Sequence, residues 1–366
     1  MPRLISIGIG GFKSIKDLQS LSICPVNVLI GANGAGKSNL ISFFRLLRSI
    51  QAEKLQEFVG RAGGANTLLY YGAKTTGTMW VSVRFEVKAG NALYLFQLSN
   101  TATDSLIFSD EQVEYPITKD SNPKRDRLGS GQRESLLVSQ VSDFTEIREL
   151  LAAIQIYHFE DTSETAAIRR RGYIEENRSL RDDGGNLAAF LYAMRARKAL
   201  YYRRIIGAIR QIAPFFDDFD LAPLKNDPNS ILLNWRDRDS THLFGPHQLS
   251  DGTLRAMALI ALLAQPEDEL PGLIILDEPE IGLHPFAIEV LSSLVRSASV
   301  HSSIVLATQS VALVNQFAPE DVVTVTRESA QSKFERQDSK SLEVWLQDYG
   351  LGDLWERNLI GGTPSR

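Results

Sequence analysis

The chain has 366 residues and a formal net charge of −5, with 39 lysine and arginine residues against 44 aspartate and glutamate residues, which argues against a protein that coats nucleic acid over its whole surface. Apolar residues make up 43% of the chain, enough for a globular core and too many for a disordered chain, and the single cysteine, Cys24, excludes a disulfide framework and a cysteine-based zinc site. Apolar runs such as 273–276 are far shorter than the about 20 residues that cross a bilayer, and residues 1–4 do not begin a signal peptide, so we expect a cytoplasmic protein without membrane contact.

The first part of the chain shows a pattern of short strands and one helix. The expected strands are 3–9, 26–30, 79–87 and 92–98, and a helix is expected from Lys37 to about Ile50. The strand 26–30 is apolar enough to be buried, whereas 79–87 alternates apolar and polar residues, which predicts one buried face. Residues 119–134 are polar and contain glycine, and we expect a mobile loop there.

The rest of the chain changes from a helical stretch to an alternation of helices and strands. The expected elements are a strand at 154–159, one or two helices across 186–212, a helix at 254–263, a strand at 273–276, a helix at 286–297, a strand at 303–307, a helix at 310–317 and a strand at 321–326. This alternation predicts a parallel sheet covered by helices, and therefore an α/β fold.

Residues 31–38, Gly-Ala-Asn-Gly-Ala-Gly-Lys-Ser, fit the phosphate-loop pattern G-x-x-x-x-G-K-[ST] in full, between an expected buried strand and an expected helix. The glycines let backbone N–H groups turn inward around phosphate oxygens, and the helix points the positive end of its dipole at the same charge. In this interpretation Lys37 contacts the β- and γ-phosphates, and the Ser38 hydroxyl binds Mg²⁺. The residues expected to contact the nucleotide here are Asn33, Gly34, Ala35, Gly36, Lys37, Ser38 and Asn39.

Two carboxylates follow the apolar residues 273–276. The expected strand carries Asp277 to the carboxyl edge of the sheet, where open α/β sheets bind ligands. There Asp277 can hold Mg²⁺ through water, and Glu278 can orient or deprotonate the attacking water. The alternative is a buried strand that ends in a solvated acidic turn, since Glu280 follows closely.

Residues 249–255, Leu-Ser-Asp-Gly-Thr-Leu-Arg, precede the acidic strand. Ser250 is a good N-cap for the apolar helix that follows, and alone the segment predicts only a helix cap. Together with the two other motifs it resembles the signature motif of ABC-type ATPases, in the form found in the RecF and SMC group. This resemblance covers Leu4 to about Ile50 and Gln248 to Val325. Bacterial RecF-like ATPases, which are predicted AAA-family ATPases, are similar over nearly the whole chain, through 157–163, 180–191 and 351–356.

The resemblance implies a P-loop NTPase fold of the ABC (RecF/SMC) type, in which a mixed sheet carries a mainly helical inserted lobe. The implied divisions are 1–150 as the first part of the ATPase domain, 151–245 as the inserted lobe, 246–330 as the second part of the ATPase domain and 331–366 as a C-terminal helical tail.

The resemblance also implies that one copy of the chain cannot complete the reaction. ATP on the phosphate loop of one copy is capped by Ser250 and Gly252 of a second copy, so nucleotide binding closes a head-to-tail dimer and hydrolysis opens it. Residues 281–285 occupy the D-loop position at that interface, and Lys13, within the segment 10–14, is expected to contact a phosphate.

Gln309 departs from the family pattern, because it follows an apolar strand where ABC ATPases commonly have a histidine that senses the γ-phosphate. Its amide can hydrogen-bond to the γ-phosphate or to the attacking water, but it cannot become a cation. Gln155 is a candidate for the Q-loop residue, and an ordinary edge-strand glutamine is the alternative.

Charge is unevenly spread along the chain. The segment 166–213 has eleven basic residues and four acidic ones, a local balance of +7, whereas 264–290 has seven acidic residues and no lysine or arginine. The basic residues are Arg169, Arg170, Arg171, Arg178, Arg181, Arg195, Arg197, Lys198, Arg203, Arg204 and Arg210. Such a segment can follow a DNA backbone. The alternative is a solvated helix face with intramolecular salt bridges.

These features predict a Mg²⁺-dependent ATPase that dimerises on ATP and acts on DNA or controls a DNA-directed effector, as in genome maintenance or anti-phage defence. Only about 40 residues follow the last core strand, so we expect any nuclease activity to reside in a separate effector protein. The alternative is an ATP-gated scaffold that holds or releases a protein effector without itself binding DNA.

Overall fold

The structure, a computed structural model, describes residues 2–88, 90–117, 124–138 and 144–362. Its strands are β1 (Arg3–Phe12), β2 (Ile15–Ser22), β3 (Val26–Ile30), β4 (Thr78–Val87), β5 (Gly90–Asn100), β6 (Leu106–Ile117), β7 (Lys124–Gly129), β8 (Ile154–Tyr157), β9 (Gly172–Tyr173), β10 (Phe216–Asp220), β11 (Ser230–Ile231), β12 (Asn234–Asp237), β13 (Leu243–Phe244), β14 (Leu273–Asp277), β15 (Ser303–Thr308), β16 (Val322–Glu328) and β17 (Gln331–Arg336). Its helices are α1 (Lys37–Gln51), α2 (Leu55–Arg61), α3 (Ala65–Leu68), α4 (Thr145–Ala152), α5 (Leu187–Arg197), α6 (Ala199–Ile212), α7 (Asp251–Leu263), α8 (Pro285–Ala298), α9 (Val311–Val314), α10 (Ser339–Leu342) and α11 (Leu351–Glu356). Within these ranges, no helix is both long enough and apolar enough to span a membrane.

The chain forms two compact units, Met1–Ile156 together with Ala318–Arg366, and Tyr157–Phe317. The first unit contains an antiparallel sheet in the order β2-β1-β4-β5-β6-β7. In β4 the apolar residues of the alternating pattern are buried and the residues between them are half-buried, as predicted. The first unit also pairs β3 with β16 in parallel, and this pairing fixes the strand that leads into the phosphate loop.

The strand β17 corrects the expected helical tail, because the residues that begin it are paired antiparallel with β16. The two strands are joined by Ser329 and Ala330, both with positive φ, at 47° and 66°. A two-residue turn with positive φ at both positions matches the twist of a hairpin, and the usual sequence signal for it is Asn-Gly or Asp-Gly. Ser-Ala carries no such signal, so the hairpin could not be predicted.

The expected loop at 119–134 is partly wrong. Residues 118–123 lie outside the described residues, but Lys124–Gly129 form β7, paired antiparallel with β6. Charged residues fill this edge strand and pair across it, as Arg127 does with Asp110 at 2.9 Å. An edge strand tolerates such polarity because one side of its backbone faces solvent.

The second unit contains the parallel pair β14 and β15, in register from Leu273 opposite Ser303 to Asp277 opposite Ala307. Helix α7 precedes β14 and α8 connects it to β15, which is the predicted alternation. The expected helix at 310–317 is shorter, since only α9 is helical and the Ser310 side chain caps its start. The expected strand at 154–159 ends at Tyr157.

The stretch predicted as one or two helices contains two, α5 and α6. They are separated at Lys198, whose φ of −134° and ψ of 51° are not helical. The same part of the chain also holds the sheet β10-β12-β13 and the pair β9 and β11, none of which was predicted. These strands have two to five residues, which is too short for a clear alternation.

Candidate functional site

The phosphate loop lies between β3 and α1, as the motif requires. Gly34 and Gly36 have φ of 77° and 127°, and a side chain on Gly36 would collide with the Ser332 hydroxyl. Lys37 is buried, and its Nζ donates to the Gly31 carbonyl oxygen at 2.5 Å. Ser38 is exposed at the first turn of α1. The loop thus combines a restrained backbone with an accessible hydroxyl at a helix N-terminus.

A chain of hydrogen bonds braces this loop from β17. Asn39 Nδ2 donates to Ser14 Oγ at 2.6 Å, Ser14 Oγ lies 2.6 Å from Ser332 Oγ, and Ser332 Oγ donates to the Ala35 carbonyl oxygen at 2.5 Å. The Ser332 backbone N–H also donates to the Ser14 carbonyl oxygen at 2.8 Å. Ser332 belongs to no nucleotide motif, and only the unpredicted hairpin brings it to the loop.

We expect Ser332→Ala to weaken ATP binding by about five-fold, because the Ala35 carbonyl loses its donor and one net hydrogen bond is worth about 1 kcal/mol. Titration of the nucleotide by calorimetry measures this change. Ser341→Ala is the matched control, since it removes a 2.7 Å bond to a backbone carbonyl from an exposed position. Equal ATP affinity in both variants would show that the brace does not shape the loop.

Lys13 lies beside α1 rather than in open solvent. Its Nζ donates to Ser42 Oγ at 2.7 Å, one turn beyond Ser38, and its φ is 47°. Burial, and secondarily the Arg45 guanidinium, lowers the pKa of the Lys13 ammonium group. Its neighbour Ser14 belongs to the loop brace, so the segment 10–14 does adjoin the phosphate loop.

The described C-terminal residues also contact the loop. The Ala32 N–H donates to the Gly362 carbonyl oxygen at 2.7 Å, and Gly362, at φ 85°, approaches the Gly31 backbone closely. A side chain at Gly362 would meet that backbone and the Trp355 ring. The hydrogen bond between Ala32 and Gly362 could not be predicted from the sequence, because the two residues are 330 positions apart and each lies in a glycine-containing turn.

In the second unit, Glu278 follows β14 and contacts two residues at the carboxyl end of β15, Ala307 and Gln309. The Glu278 N–H donates to the Ala307 carbonyl oxygen at 2.8 Å, and Gln309 Nε2 donates to Glu278 Oε1 at 2.5 Å. Glu278 has a φ of 43°, a conformation that costs a non-glycine residue about 1–3 kcal/mol and that clusters at functional sites. The fold therefore brings together the carboxylate and the amide that were expected to handle the attacking water.

Glu280 is a residue whose role sequence reasoning missed. Thr308 Oγ1 donates to Glu280 Oε1 at 2.5 Å, while Glu280 Oε2 is buried without a hydrogen-bond partner among the described residues. Burial, and to a smaller degree the Glu278 charge, raises the pKa of the Glu280 carboxyl. The solvated acidic turn considered as an alternative is therefore wrong for Glu280, which ties the loop after β14 to the end of β15 beside Gln309.

The signature segment begins α7 as predicted, since Ser250 Oγ accepts a hydrogen bond from the Thr253 N–H. Close packing requires glycine at position 252, because a side chain there would collide with the Gly282 carbonyl oxygen. Arg169 fixes the start of the helix. Its buried guanidinium donates to Asp251 Oδ1 at 2.6 Å and to the Thr162 carbonyl oxygen at 2.7 Å.

The Arg255 side chain on α7 donates hydrogen bonds to three backbone carbonyl oxygens, two at residues 159–160 and one at residue 281. It donates to Phe159 at 2.9 Å, to Glu160 at 2.8 Å, and also to Ile281 in the loop between β14 and α8. A small cavity beside it is lined by Asp277 and Glu278 among others. Gln155, at the start of β8, donates to the Ala152 carbonyl oxygen at 3.3 Å, a local contact that both of its interpretations allow.

The basic and acidic segments meet at two ion-paired side chains, Lys198 and Arg204. Lys198 lies 3.6 Å from Glu269, Arg204 lies 3.6 Å from Glu267, and the Tyr201 hydroxyl donates to Glu267 Oε2 at 2.5 Å. Opposite charges that appeared separated along the sequence therefore meet in the second unit. The residues of the basic segment that remain exposed without an ion pair among the described residues include Arg170, Arg171, Arg178 and Arg203.

With these features established, comparison with known proteins places the chain in a family. Residues 26–315 match the family described as "AAA domain, putative AbiEii toxin, Type IV TA system". The chain belongs to this AAA-domain family. No curated protein matches it.

The solved structures similar to this AAA-domain chain include SMC head domains. An Smc head bound to the C-winged helix domain of ScpA is 15% identical, with a TM-score of 0.64 over 93% of this chain and 99% of the other. An Smc head with an extended coiled coil, bound to the C-terminal domain of ScpA derived from Pyrococcus furiosus, is 13% identical, with a TM-score of 0.60 over 95% and 99%. The SMC head domain from Thermotoga maritima is 14% identical, with a TM-score of 0.51 over 92% and 99%. At such identities the likeness shows the fold, and the predicted SMC/RecF-like ABC-type ATPase fold is confirmed.

Proposed function

We propose that the chain binds ATP and Mg²⁺ on its phosphate loop and hydrolyses the γ-phosphate bond. The contact between Glu278 and Gln309 carries this proposal, because a carboxylate that follows β14 on a backbone with positive φ, and that is held by an amide, suits orientation of a water molecule. The hydrogen bond from Thr308 Oγ1 to Glu280 Oε1 joins the same two strand ends and so supports the contact between Glu278 and Gln309. Gln309 stands where ABC ATPases commonly have a histidine. Its amide can still hydrogen-bond to the γ-phosphate or to the attacking water, but it does not titrate.

The residues assigned to nucleotide and metal fit that chemistry. In nucleotide sites Mg²⁺ takes one or two protein oxygens and completes its shell with phosphates and water. The exposed Ser38 hydroxyl supplies such an oxygen, and the Asp277 carboxylate at the end of β14 would hold the ion through water. When bound, the ion neutralises phosphate charge. Lys37 leaves the carbonyls of its own loop for the phosphates, because a charged acceptor is the stronger partner.

ATP also joins two copies of the chain in this proposal. The signature residues Ser250 and Gly252 of one copy cap the nucleotide on the phosphate loop of the other, and Ile281 and its neighbours lie at the same interface. The exposed start of α7 supports this role, since Ser250 and Asp251 are solvent-accessible while Leu254 is buried. Nucleotide contacts made only in the closed dimer favour that state by mass action.

The dimer is proposed to act on DNA, or to control a DNA-directed effector such as a nuclease, in genome maintenance or anti-phage defence. The exposed arginines of the basic segment support DNA contact, and the family description, which names a toxin of a type IV system, supports a role in defence. Of the basic segment, we assign DNA contact to the exposed pair Arg170 and Arg171, which follows the turn Ala167–Arg169.

We expect Arg170→Ala with Arg171→Ala to weaken DNA binding and to reduce the slope of log affinity against log salt by about two, since each phosphate contact contributes about 0.9. Fluorescence anisotropy with duplex and single-stranded DNA at several salt concentrations measures the slope, and ATP turnover with and without DNA follows in parallel. Arg3→Ala with Arg61→Ala removes equal charge from salt-bridged exposed sites and is the control. If neither double substitution changes the slope of log affinity against log salt, the assignment of DNA contact to Arg170 and Arg171 is wrong.

The second candidate function is an ATP-gated scaffold that holds or releases a protein effector without binding DNA. The intramolecular ion pairs of α6 favour it, because Lys198 and Arg204 are already engaged by carboxylates. In two of the similar structures the SMC head is bound to a domain of another protein, ScpA. A stoichiometric protein partner together with salt-insensitive, weak DNA affinity identifies the scaffold.

A further inference from the structure

A groove of about 190 Å³ lies beside helix α5 in the second unit. Its floor is apolar and comes from Phe190, Ala193 and Met194. These residues and Arg197 stand at positions i, i+3, i+4 and i+7 of α5 and therefore form one face of the helix. A groove of this volume suits a few side-chain groups rather than a whole domain.

The rim of the groove is strongly cationic. Arg178, Arg197 and Lys198 line it, together with the Asn177 amide and a single carboxylate, Glu269. Glu269 lies 3.6 Å from Lys198, so this pair is compensated and the two arginines determine the charge of the opening. Arg178 makes no ion pair within the described part of the chain and is exposed.

Asn177 positions one of these arginines. Its Nδ2 donates to the Ile174 carbonyl oxygen at 2.7 Å, which fixes the amide, and its Oδ1 accepts from Arg197 Nη1 at 3.5 Å. A guanidinium held in this way presents its remaining donors toward an anion, and guanidinium groups bind carboxylates through two parallel hydrogen bonds. The groove thus combines oriented donors with an adaptable apolar floor, for which methionine is well suited.

We propose that this groove binds a short segment of a partner protein in which an apolar side chain stands next to one or two carboxylates. The apolar group packs on Phe190 and Met194, and the carboxylates pair with Arg178 and Arg197. The proposal goes beyond the ATPase function and does not depend on it. Arginine clusters that capture acidic motifs are a recurrent form of peptide recognition.

Nucleic acid fits the groove less well than an acidic peptide does. Glu269 stands at the Lys198 side of the rim, and Asp268, which does not line the groove, is 77% exposed and lies 3.9 Å from Lys198. A DNA backbone carries one charge per about 1.7 Å of helix axis, so its phosphates would be forced against these carboxylates. A peptide can place a single carboxylate between the arginines and turn away from Asp268.

Selection of a displayed library of random ten-residue peptides on the full-length protein tests the proposal, with Arg178→Glu plus Arg197→Glu selected in parallel. We expect the wild type to enrich peptides with adjacent acidic and apolar residues, and a synthetic peptide of that consensus to bind the double variant at least ten-fold more weakly. Arg203→Glu plus Arg61→Glu reverses equal charge outside the groove and should bind the peptide as the wild type does. Thermal unfolding and ATP turnover, unchanged in both variants, exclude misfolding as the cause.

Several outcomes would overturn the proposal. They are the absence of any enriched consensus, a consensus without acidic residues, and peptide affinity that is equal in the wild type and the groove variant. A short single-stranded oligonucleotide that binds the wild type and loses binding in Arg178→Glu plus Arg197→Glu would assign the groove to nucleic acid instead.

Discussion

We expect Glu278→Gln to bind ATP as tightly as the wild type and to hydrolyse it about 10²- to 10⁴-fold more slowly, the usual contribution of a positioned general base. Glutamine has the same shape as glutamate and should adopt the backbone φ of 43° at the same energetic cost. Its amide oxygen can still accept a hydrogen bond from Gln309 Nε2. Only the basicity of the carboxylate is lost. Single-turnover hydrolysis of radiolabelled ATP, beside equilibrium binding of ATP, separates these two effects.

Blocked hydrolysis should also trap the proposed dimer, because in that proposal the nucleotide that joins two copies is no longer consumed. Mass photometry with Mg²⁺ and ATP is expected to show mostly dimer for Glu278→Gln and a smaller dimer fraction for the wild type. Glu289→Gln makes the same chemical change on α8 and serves as the control. Wild-type turnover in Glu278→Gln would show that another group activates the water.

Lys37→Ala is expected to weaken ATP binding by about 100-fold or more. Two hydrogen bonds from a charged donor to phosphate oxygens contribute about 1.5 kcal/mol each or more, and 1.4 kcal/mol corresponds to a factor of ten. The buried Lys37 ammonium group also donates to the Gly31 and Ala32 carbonyls, so we expect a lower melting temperature without ATP. Calorimetric titration measures the first effect and thermal unfolding the second.

The control for this variant is Lys333→Ala, an exposed lysine on β17 that pairs with Glu328. It should bind ATP like the wild type. If Lys37→Ala keeps its affinity for ATP within three-fold of that control, the phosphate loop does not hold the nucleotide in the assumed way, and the assignments of Ser38 and Gly36 would fail with it.

The parts of the site that could be predicted are those whose chemistry constrains consecutive residues. The phosphate loop needs glycines at positive φ, a lysine and a hydroxyl in fixed order, and Gly34 and Gly36 adopt that backbone. Ser250 was predictable as an N-cap for a similar reason, since the Ser250 hydroxyl oxygen and the Thr253 N–H that donates to it are only three residues apart. Local geometry leaves a pattern in the sequence.

The parts that could not be predicted depend on contacts between distant residues. Ser332 reaches Ala35 only because β17 returns along β16 through a turn without glycine. Glu280 looked like one more solvated acid, and its burial follows from packing against Thr308 on the neighbouring strand. Nothing within either local sequence encodes the partner.

The interpretation of charge shows the same limit. Counting residues along the chain gave a basic segment and an acidic segment that appeared to be independent surfaces. In the fold, Arg204 and Lys198 pair with Glu267 and Glu269, so the two segments do not form independent surfaces. Arg169 is buried at the start of α7, so it cannot contribute to a surface that binds nucleic acid. Counts along the sequence overestimate an exposed patch whenever oppositely charged segments pack together.

The central claim is that two copies of the chain complete each ATP site, and complementation tests it most directly. Ser250→Asp keeps a good helix cap but adds a negative charge toward the nucleotide of the other copy, and Ser250→Asn is its neutral control. We predict that Lys37→Ala and Ser250→Asp are each inactive alone. When they are mixed, turnover returns, because each heterodimer contains one site with an intact phosphate loop and an intact signature. A mixture as inactive as its components, while Ser250→Asn stays active, would contradict the account.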